Sequence, residues 1–326
     1  MRQAGRYMKQ YREVRAKHSL IEMFKNPEIA AEITLQPVQA FSVDAAIIFA
    51  DILLPLEGMG AAFEFTEDSG PVIKKPVRSA ADVSALRVAD PEESLDFVLK
   101  TIRQVRSELN GKVPLIGFAG APFTLAGYAI EGGSSSNYLL TKGFMYRDPA
   151  AWNMLMQKLS ETILSFLLAQ VKAGAQVLQV FDSWVGCLSP QDYAQYVLPH
   201  SRKIFQELRR KKIPCIHFGT GTAGLLDLIG EAGGDTIGVD WRIPLSRAWE
   251  QIGAGTAIQG NLDPAALLAP WPVLNQKAAE VLDEAGGRPG HIFNLGHGIL
   301  PSTPEDSVKA LADFVHEYSI KGKAAD

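Results

Sequence analysis

Residues 149–183 read PAAWNMLMQKLSETILSFLLAQVKAGAQVLQVFDS, and their pattern decides the fold. From Pro149 to Lys172 apolar residues recur at helical spacing, and the helix predicted there stops at Ala173-Gly174. Val177–Ser183 (VLQVFDS) follows almost at once as a short, nearly continuous apolar run ending in Asp182-Ser183. Such runs are strands buried on both faces. A long amphipathic helix feeding a doubly buried strand is one unit of a parallel α/β sheet.

The unit repeats along the chain. Further apolar runs lie at Ala45–Asp51 (AAIIFAD), Pro114–Gly120 (PLIGFAG), Ile213–Gly219 (IPCIHFG), Thr236–Trp241 (TIGVDW), Ala257–Asp263 (AIQGNLD) and His291–Gly298 (HIFNLGHG). Helical segments with start signals separate them. Asp90-Pro91-Glu92-Glu93 and Thr303-Pro304-Glu305-Asp306 each set a cap, a first-turn proline and acids in order. Most crossovers are long enough for parallel pairing. Ala61–Phe65 and Pro71–Lys75, around Glu67-Asp68-Ser69-Gly70, read as a β-hairpin inserted after the first visible strand. Seven such units invite an eighth. The expected fold is a single (β/α)8 TIM barrel over residues 1–326, with a doubly wound sheet as the second architecture.

Composition excludes several classes. With 47% hydrophobic and 21% charged residues in 326, the chain is neither disordered, collagen-like nor a coiled coil. Its net charge of −4 argues against a globally basic nucleic-acid binder. Cys187 and Cys215 are too few for a disulfide scaffold and fit a reducing compartment. The polar start shows no secretory h-region. The most apolar stretch, 41–63, is interrupted by Asp44, Asp51 and Glu57 and is too charged to span a bilayer. These features read as a soluble cytoplasmic protein. Charge is uneven, however. Residues 1–17 hold six basic side chains against Glu13, a local +5 that leaves −9 for the remainder. On charge alone this is a solvated basic helix; it also suits an anionic substrate.

In a barrel, functional groups gather at the C-terminal ends of strands. Those positions hold Asp51, Gly120, Pro122, Phe181 to Ser183, His217, Asp240, Asn261 and His297. Gly219-Thr220-Gly221-Thr222-Ala223-Gly224, with Asp240 ending the next strand, imitates a dinucleotide fingerprint. It sits on the fourth visible unit rather than the first, and Trp241-Arg242 crowd the acid, so a tight barrel loop is the better reading. Cys187, Cys215 and His217 make too thin a set for zinc, and the cysteines read as structural. Asp182-Ser183-Trp184-Val185-Gly186 lacks the glycines of a nucleophile elbow. Gly117 to Thr124 and Gly132 to Ser136 read as ordinary loops, although the first suits phosphate and the second a lid. Asp51 is more telling: it ends an apolar run and is followed by Ile52-Leu53-Leu54. A carboxylate there is costly unless it meets donors. It is a helix cap, the partner of a buried arginine, or an anion awaiting a cationic or N–H-rich ligand.

Several segments carry a more specific signal. Met1-Arg2-Gln3-Ala4-Gly5-Arg6-Tyr7, Phe49-Ala50-Asp51-Ile52-Leu53, Gly120-Ala121-Pro122-Phe123-Thr124-Leu125 and Tyr128 with Glu131-Gly132-Gly133 come first. Phe181-Asp182-Ser183, Gly238-Val239-Asp240-Trp241, Gln259 to Pro264 and Asn294-Leu295-Gly296-His297-Gly298-Ile299 follow. In this order, from Met1 to Ile299, the chain resembles the uroporphyrinogen decarboxylase family. The resemblance implies a (β/α)8 barrel, usually a homodimer, with no metal or organic cofactor. It implies uroporphyrinogen III as substrate, whose four acetate arms lose CO2 to give coproporphyrinogen III in haem biosynthesis. It casts Asp51 as the group stabilising the reacting ring. Arg2 and Arg6, with the amides of Gln3, Ala4 and Gly5 between them, hold substrate carboxylates, and Arg2 is also a candidate proton donor. Tyr128, Ser183 and His297 match substrate-binding positions, and Phe181 packs on the macrocycle. The family normally has residues before this first motif, so a truncated first strand and N-terminal helix are expected. Two other functions are weighed. One is a zinc-dependent corrinoid or thiol methyltransferase of the same fold; the other is a non-enzymatic tetrapyrrole binder.

Overall fold

A computed structural model describes residues 2–66, 70–133, 135–253 and 255–323. Met1, Glu67, Asp68, Ser69 and Ser134, named above, lie outside the described residues. Seven strands form one sheet: β1 (Ala46–Ile47), β4 (Leu115–Gly120), β5 (Val177–Asp182), β6 (Cys215–Gly219), β7 (Thr236–Gly238), β8 (Ala257–Leu262) and β9 (His291–Leu295). Every neighbouring pair is parallel and the strands stand in sequence order. That order, with a helix returning over one face each time, curls the sheet as in a barrel. It excludes the doubly wound alternative, whose strand order reverses. Seven parallel strands, not eight, are among the described residues. β2 (Phe63–Thr66) and β3 (Gly70–Ile73) pair antiparallel, apart from the main sheet.

Most strands end earlier than their apolar runs, although β4 and β6 reach the run ends at Gly120 and Gly219. β1 keeps two residues of the seven-residue run, and β7 stops at Gly238, three residues before Trp241. Asp51, Asp240 and His297 have thereby left the ladder and lie in the loops above it, while Asp182 and Asn261 stay within β5 and β8.

The helix of residues 149–183 is Pro149–Ala173. Asp148 caps it by accepting the Ala151 N–H at 3.0 Å, Pro149 opens it, and Gly174 closes it at φ 121°. Trp152, Leu155, Leu159, Ile163 and Leu167 are fully buried along its inner stripe. Gln170 is buried on the same stripe and is satisfied by backbone. Its amide accepts the Phe118 N–H and donates to the Phe118 C=O, both at 2.9 Å. These bonds tie the helix to β4, and Gly117 leaves room for them, since a Cβ there would stand 2.5 Å from Gln170 Oε1.

The N-terminal segment belongs to the fold. Ala4, Tyr7, Met8 and Tyr11 are buried in a second core cluster with Leu262, Ile299 and Leu311. The Gln3 side chain donates to Ala45 C=O at 2.7 Å and accepts the Ile47 N–H at 2.9 Å. One side-chain amide thus satisfies two groups on the open edge of β1, as a neighbouring parallel strand would.

Gln170→Leu is expected to destabilise the fold by about 2–4 kcal/mol, because both polar groups of Phe118 lose their buried partner. Urea unfolding followed by circular dichroism measures it; a loss below about 0.5 kcal/mol would mean the Phe118 groups find other partners.

Candidate active site

Three aromatic rings line the concave side of the sheet. Phe118 on β4, Phe181 on β5 and Phe218 on β6 meet edge to face, with centroids 5.5 and 5.9 Å apart. Phe181 and Phe218 are register partners across β5 and β6, so inward parity on one strand sets it on the next. The sequence points to Phe181 alone; the two flanking rings emerge from the structure, although the i and i+2 spacing from Ile216 to Phe218 carries a signal of their common face.

Asp51 stands just beyond β1. Its Oδ1 accepts the Leu53 N–H at 2.8 Å, so the capping role is real. The residue keeps part of its surface open, yet protein crowds its carboxyl, and desolvation raises its pKa. The Leu53 hydrogen bond and then the Arg2 charge act against that rise. The same carboxylate raises the Tyr128 phenol, after the larger effect of burial. Arg2 and Tyr128 therefore both bear on Asp51.

His297 follows β9 and completes the rim. Its pKa is lowered, first by desolvation and then by Arg2 and Arg242, while Asp240 opposes. An open face toward solvent moderates these effects. Its ring lies 6.5 Å from Trp241 in a T-shaped contact. Gly298 keeps space for Arg2, since a Cβ there would stand 3.3 Å from the guanidinium. Gly5 and Ala4 are buried beside the exposed Arg2 and Arg6, so small residues let two long cations turn outward from a packed segment. Arg6 acts on Tyr11, and its carbonyl accepts Arg12 Nη1–H at 2.9 Å. Ser183 is half-buried directly after β5. Next to it, Trp184 stacks on Tyr128 with centroids 3.8 Å apart, a contact that no spacing rule predicts.

Other strand-end residues turn out to be structural. Asp240 accepts Gly221 N–H at 2.6 Å and pairs with Arg242 at 2.5 Å. The glycine loop therefore donates to its own acid and leaves none for a ribose. Asn261 is buried and donates to Asp240 C=O and Ile243 C=O at 2.9 and 2.7 Å. His217 faces the helix layer, fully buried against Phe205 at 4.4 Å, with Nδ1 3.1 Å from Gly233 C=O. Both cysteines are free. No three His, Cys, Asp or Glu among the described residues are placed to hold a metal. A groove of about 500 Å3 on another face, lined by Glu13, Glu28, Glu32 and Glu108, shares none of these side chains. Its acidity suits no anionic ligand, and the convergent groups around Asp51 mark the site instead.

Polar groups beyond the C-terminal ends of parallel strands, with one desolvated carboxylate beside an arginine above a cluster of aromatic rings, define a barrel-type α/β enzyme. A sequence model described as uroporphyrinogen decarboxylase matches residues 1–318. The chain is 58% identical over 316 residues to the uroporphyrinogen decarboxylase of Sorangium cellulosum, covering 97% of this chain and 90% of that protein. It is 56% identical over 319 residues to that of Carboxydothermus hydrogenoformans, covering 98% and 91%. Among solved structures, a methyltransferase from Methanosarcina mazei superposes with TM-score 0.77 at 22% identity, over 91% of this chain and 87% of that one. A B12-independent methionine synthase from Shewanella gives 0.60 at 9%, over 90% and 89%. These two likenesses concern the fold alone. The chain belongs to the uroporphyrinogen decarboxylase family and is a carboxy-lyase.

Burial holds His217 neutral in the fold by lowering its pKa from 6.5 to about 4. Its stabilising effect is complete above pH 6.5 and is lost as pH falls towards 4, by up to about 3 kcal/mol. His217→Gln should flatten the fall of Tm between pH 7 and pH 4.5, with His200, also lowered to about 4, retaining its own share. An unchanged slope in thermal scans would place the acid sensitivity elsewhere.

Proposed function

We propose that Asp51 and Arg2 carry the decarboxylation of uroporphyrinogen III to coproporphyrinogen III in haem biosynthesis, with Arg6, Tyr128, Phe181, Ser183 and His297 binding the macrocycle. The chemistry of the substrate supports this reading. Breaking the C–CO2 bond of an acetate arm leaves an electron pair that needs a sink. A pyrrole protonated on a ring carbon supplies it: the pair flows into the ring, CO2 departs, a second proton on the exocyclic carbon makes the methyl, and loss of the first proton from the ring carbon restores the neutral pyrrole, so that one proton is taken up per CO2 released. The ring is its own electron sink, so the reading calls for no cofactor. What it requires is an anion placed where the ring becomes cationic.

The carrying observation is the desolvated Asp51 carboxyl with Leu53 N–H as its protein donor and Arg2 beside it. It has lone pairs to spare for pyrrole N–H groups, and a cationic ring relieves the desolvation that raises its pKa. Phe118, Phe181 and Phe218 form an apolar floor for the tetrapyrrole face. Arg2, Arg6 and the Gln3 to Gly5 segment border it where the carboxylate arms extend. Arg2 is also our candidate to bring a proton to the ring.

The reading includes one (β/α)8 barrel domain over 1–326, with β2 and β3 as an inserted hairpin, and a cytoplasmic homodimer. The strand-like pairing of Gln3 on β1 supports a barrel in which the N-terminal segment stands at the first strand position. No helix among the described residues is long and apolar enough to cross a membrane.

In an anaerobic assay with uroporphyrinogen III, Asp51→Asn should lower kcat by about 100-fold or more, because the developing ring cation loses its counter-charge. Arg2→Ala and Arg6→Ala should raise KM about tenfold each by removing charge-assisted contacts to the arms. Wild-type turnover in Asp51→Asn would refute the assignment.

A further inference from the structure

One buried carboxylate is left unused by this chemistry. Asp182 is the last residue of β5, between Phe181 and Ser183, and it is fully buried. It points away from the aromatic floor, into the helix layer. There the Thr124 hydroxyl donates to its Oδ1 at 3.0 Å. Thr124 is itself fully buried, in the first turn of the Pro122–Glu131 helix, whose cap residue Ala121 has no side-chain hydrogen bond to give. The amide groups of that first turn lack partners within the helix, and a carboxylate from a neighbouring strand is a fitting substitute. Burial pushes the Asp182 pKa up to about 7, while the Thr124 hydroxyl and backbone pull it down. Asp182 Oδ2 is buried and has no hydrogen-bond partner among the described residues. Thr124 is therefore the side chain that secures this carboxyl.

The Thr124 oxygen also accepts the Trp184 N–H at 3.4 Å. One hydroxyl thus joins the end of β5 to the loop after it. Trp184 in turn stacks on Tyr128, and its ring lies so close to the helix that a Cβ on Gly127 would stand 2.9 Å from Cε3. Ser183 lies between the two joined residues. The chain of contacts runs from Asp182 through Thr124 to Trp184 and Tyr128 without a gap.

We propose that Thr124, its hydroxyl held by the buried Asp182 carboxyl, is a positioning residue for the decarboxylation site: it fixes the Trp184 backbone and the start of the Pro122–Glu131 helix, and so sets the place of Ser183 and Tyr128 against the substrate. The proposal rests on the functional reading above. It requires a group that donates and accepts at once, which serine reproduces and valine does not.

The test compares wild type, Thr124→Ser and Thr124→Val. KM and kcat are measured for uroporphyrinogen III, Tm is recorded, and Trp184 emission is isolated by difference from Trp184→Phe. T124S should stay within about twofold of wild type; T124V should raise KM about tenfold with kcat within about threefold, as expected when binding groups are misplaced. Trp184 emission should shift in T124V and not in T124S. If T124V does not fold, Thr124→Ala removes the hydroxyl without setting a methyl against the carboxylate, and the same results are expected. An unchanged KM in the variant lacking the hydroxyl, or T124S as impaired as T124V, would overturn the proposal. Should wild type itself leave uroporphyrinogen unchanged, the functional reading falls, and an unmoved Trp184 emission then still overturns the positioning role.

Discussion

Alternation along β5 sends Phe181 to the concave side of the sheet and Asp182 to the helix layer, and the site is organised around that parity. In a strand, successive side chains cannot share a face. The register Phe181 to Phe218 repeats the inward choice on β6 and makes a floor of rings. The same alternation turns His217 outward against Phe205. A one-residue slip of β5 would place a carboxylate on the floor and a phenyl ring against Thr124. The two faces therefore specify each other: the apolar floor is available because the polar residue at the strand end has a partner behind it.

Electrostatics at the mouth follow a comparable division. Asp51 sits where desolvation disfavours its charge, and Leu53 N–H and Arg2 only partly offset this. Such a carboxylate gains more from a cation than a solvated one would, because the local dielectric is lower. Asp240, by contrast, is buried with Gly221 N–H, the Arg242 N–H and the Arg242 guanidinium all engaged. It has little left to offer a ligand. The two acids stand beyond the ends of different strands of the same sheet, β1 and β7, and their different partners leave one with lone pairs to offer and the other holding a loop.

These differences set what could be read from the sequence. The parallel α/β class was legible because doubly buried strands leave long apolar runs and the intervening helices have capped ends. Asp148 with Pro149, and Asp90 with Pro91, act as their spacing suggests. Asp51 stood out because a charge among Phe49, Ala50, Ile52 and Leu53 is conspicuous. Strand ends were overestimated, because a residue such as Trp241 continues the apolar pattern after the ladder has stopped. The orientation of strand-end polar groups was not legible: His217, Asp240 and Asn261 look like site residues in sequence and face structural partners in space. The stacking of Trp184 on Tyr128 joins residues 56 positions apart and depends on the helix approach that Gly127 permits.

The basic N-terminal segment shows how one charge pattern serves two purposes. Its excess of positive charge has a bland explanation, a solvated helix, and for part of the segment that explanation is correct. Lys9 meets Glu13 on the surface at 3.9 Å, a contact of little energetic weight. Arg15 donates to His18 C=O at 2.9 Å. Arg12 does more, donating to the carbonyls of Arg6 and Tyr7 at 2.9 and 2.6 Å. It ties down the turn that follows the two outward arginines. Below them, Tyr7 OH donates to Gln3 C=O at 2.6 Å while the Gln3 amide is paired on β1. Arg2 and Arg6 are thus exposed at their guanidinium ends and anchored at their backbone. A pair of cations built this way would lose little backbone entropy on meeting an anion, because the intervening residues are already ordered by the fold.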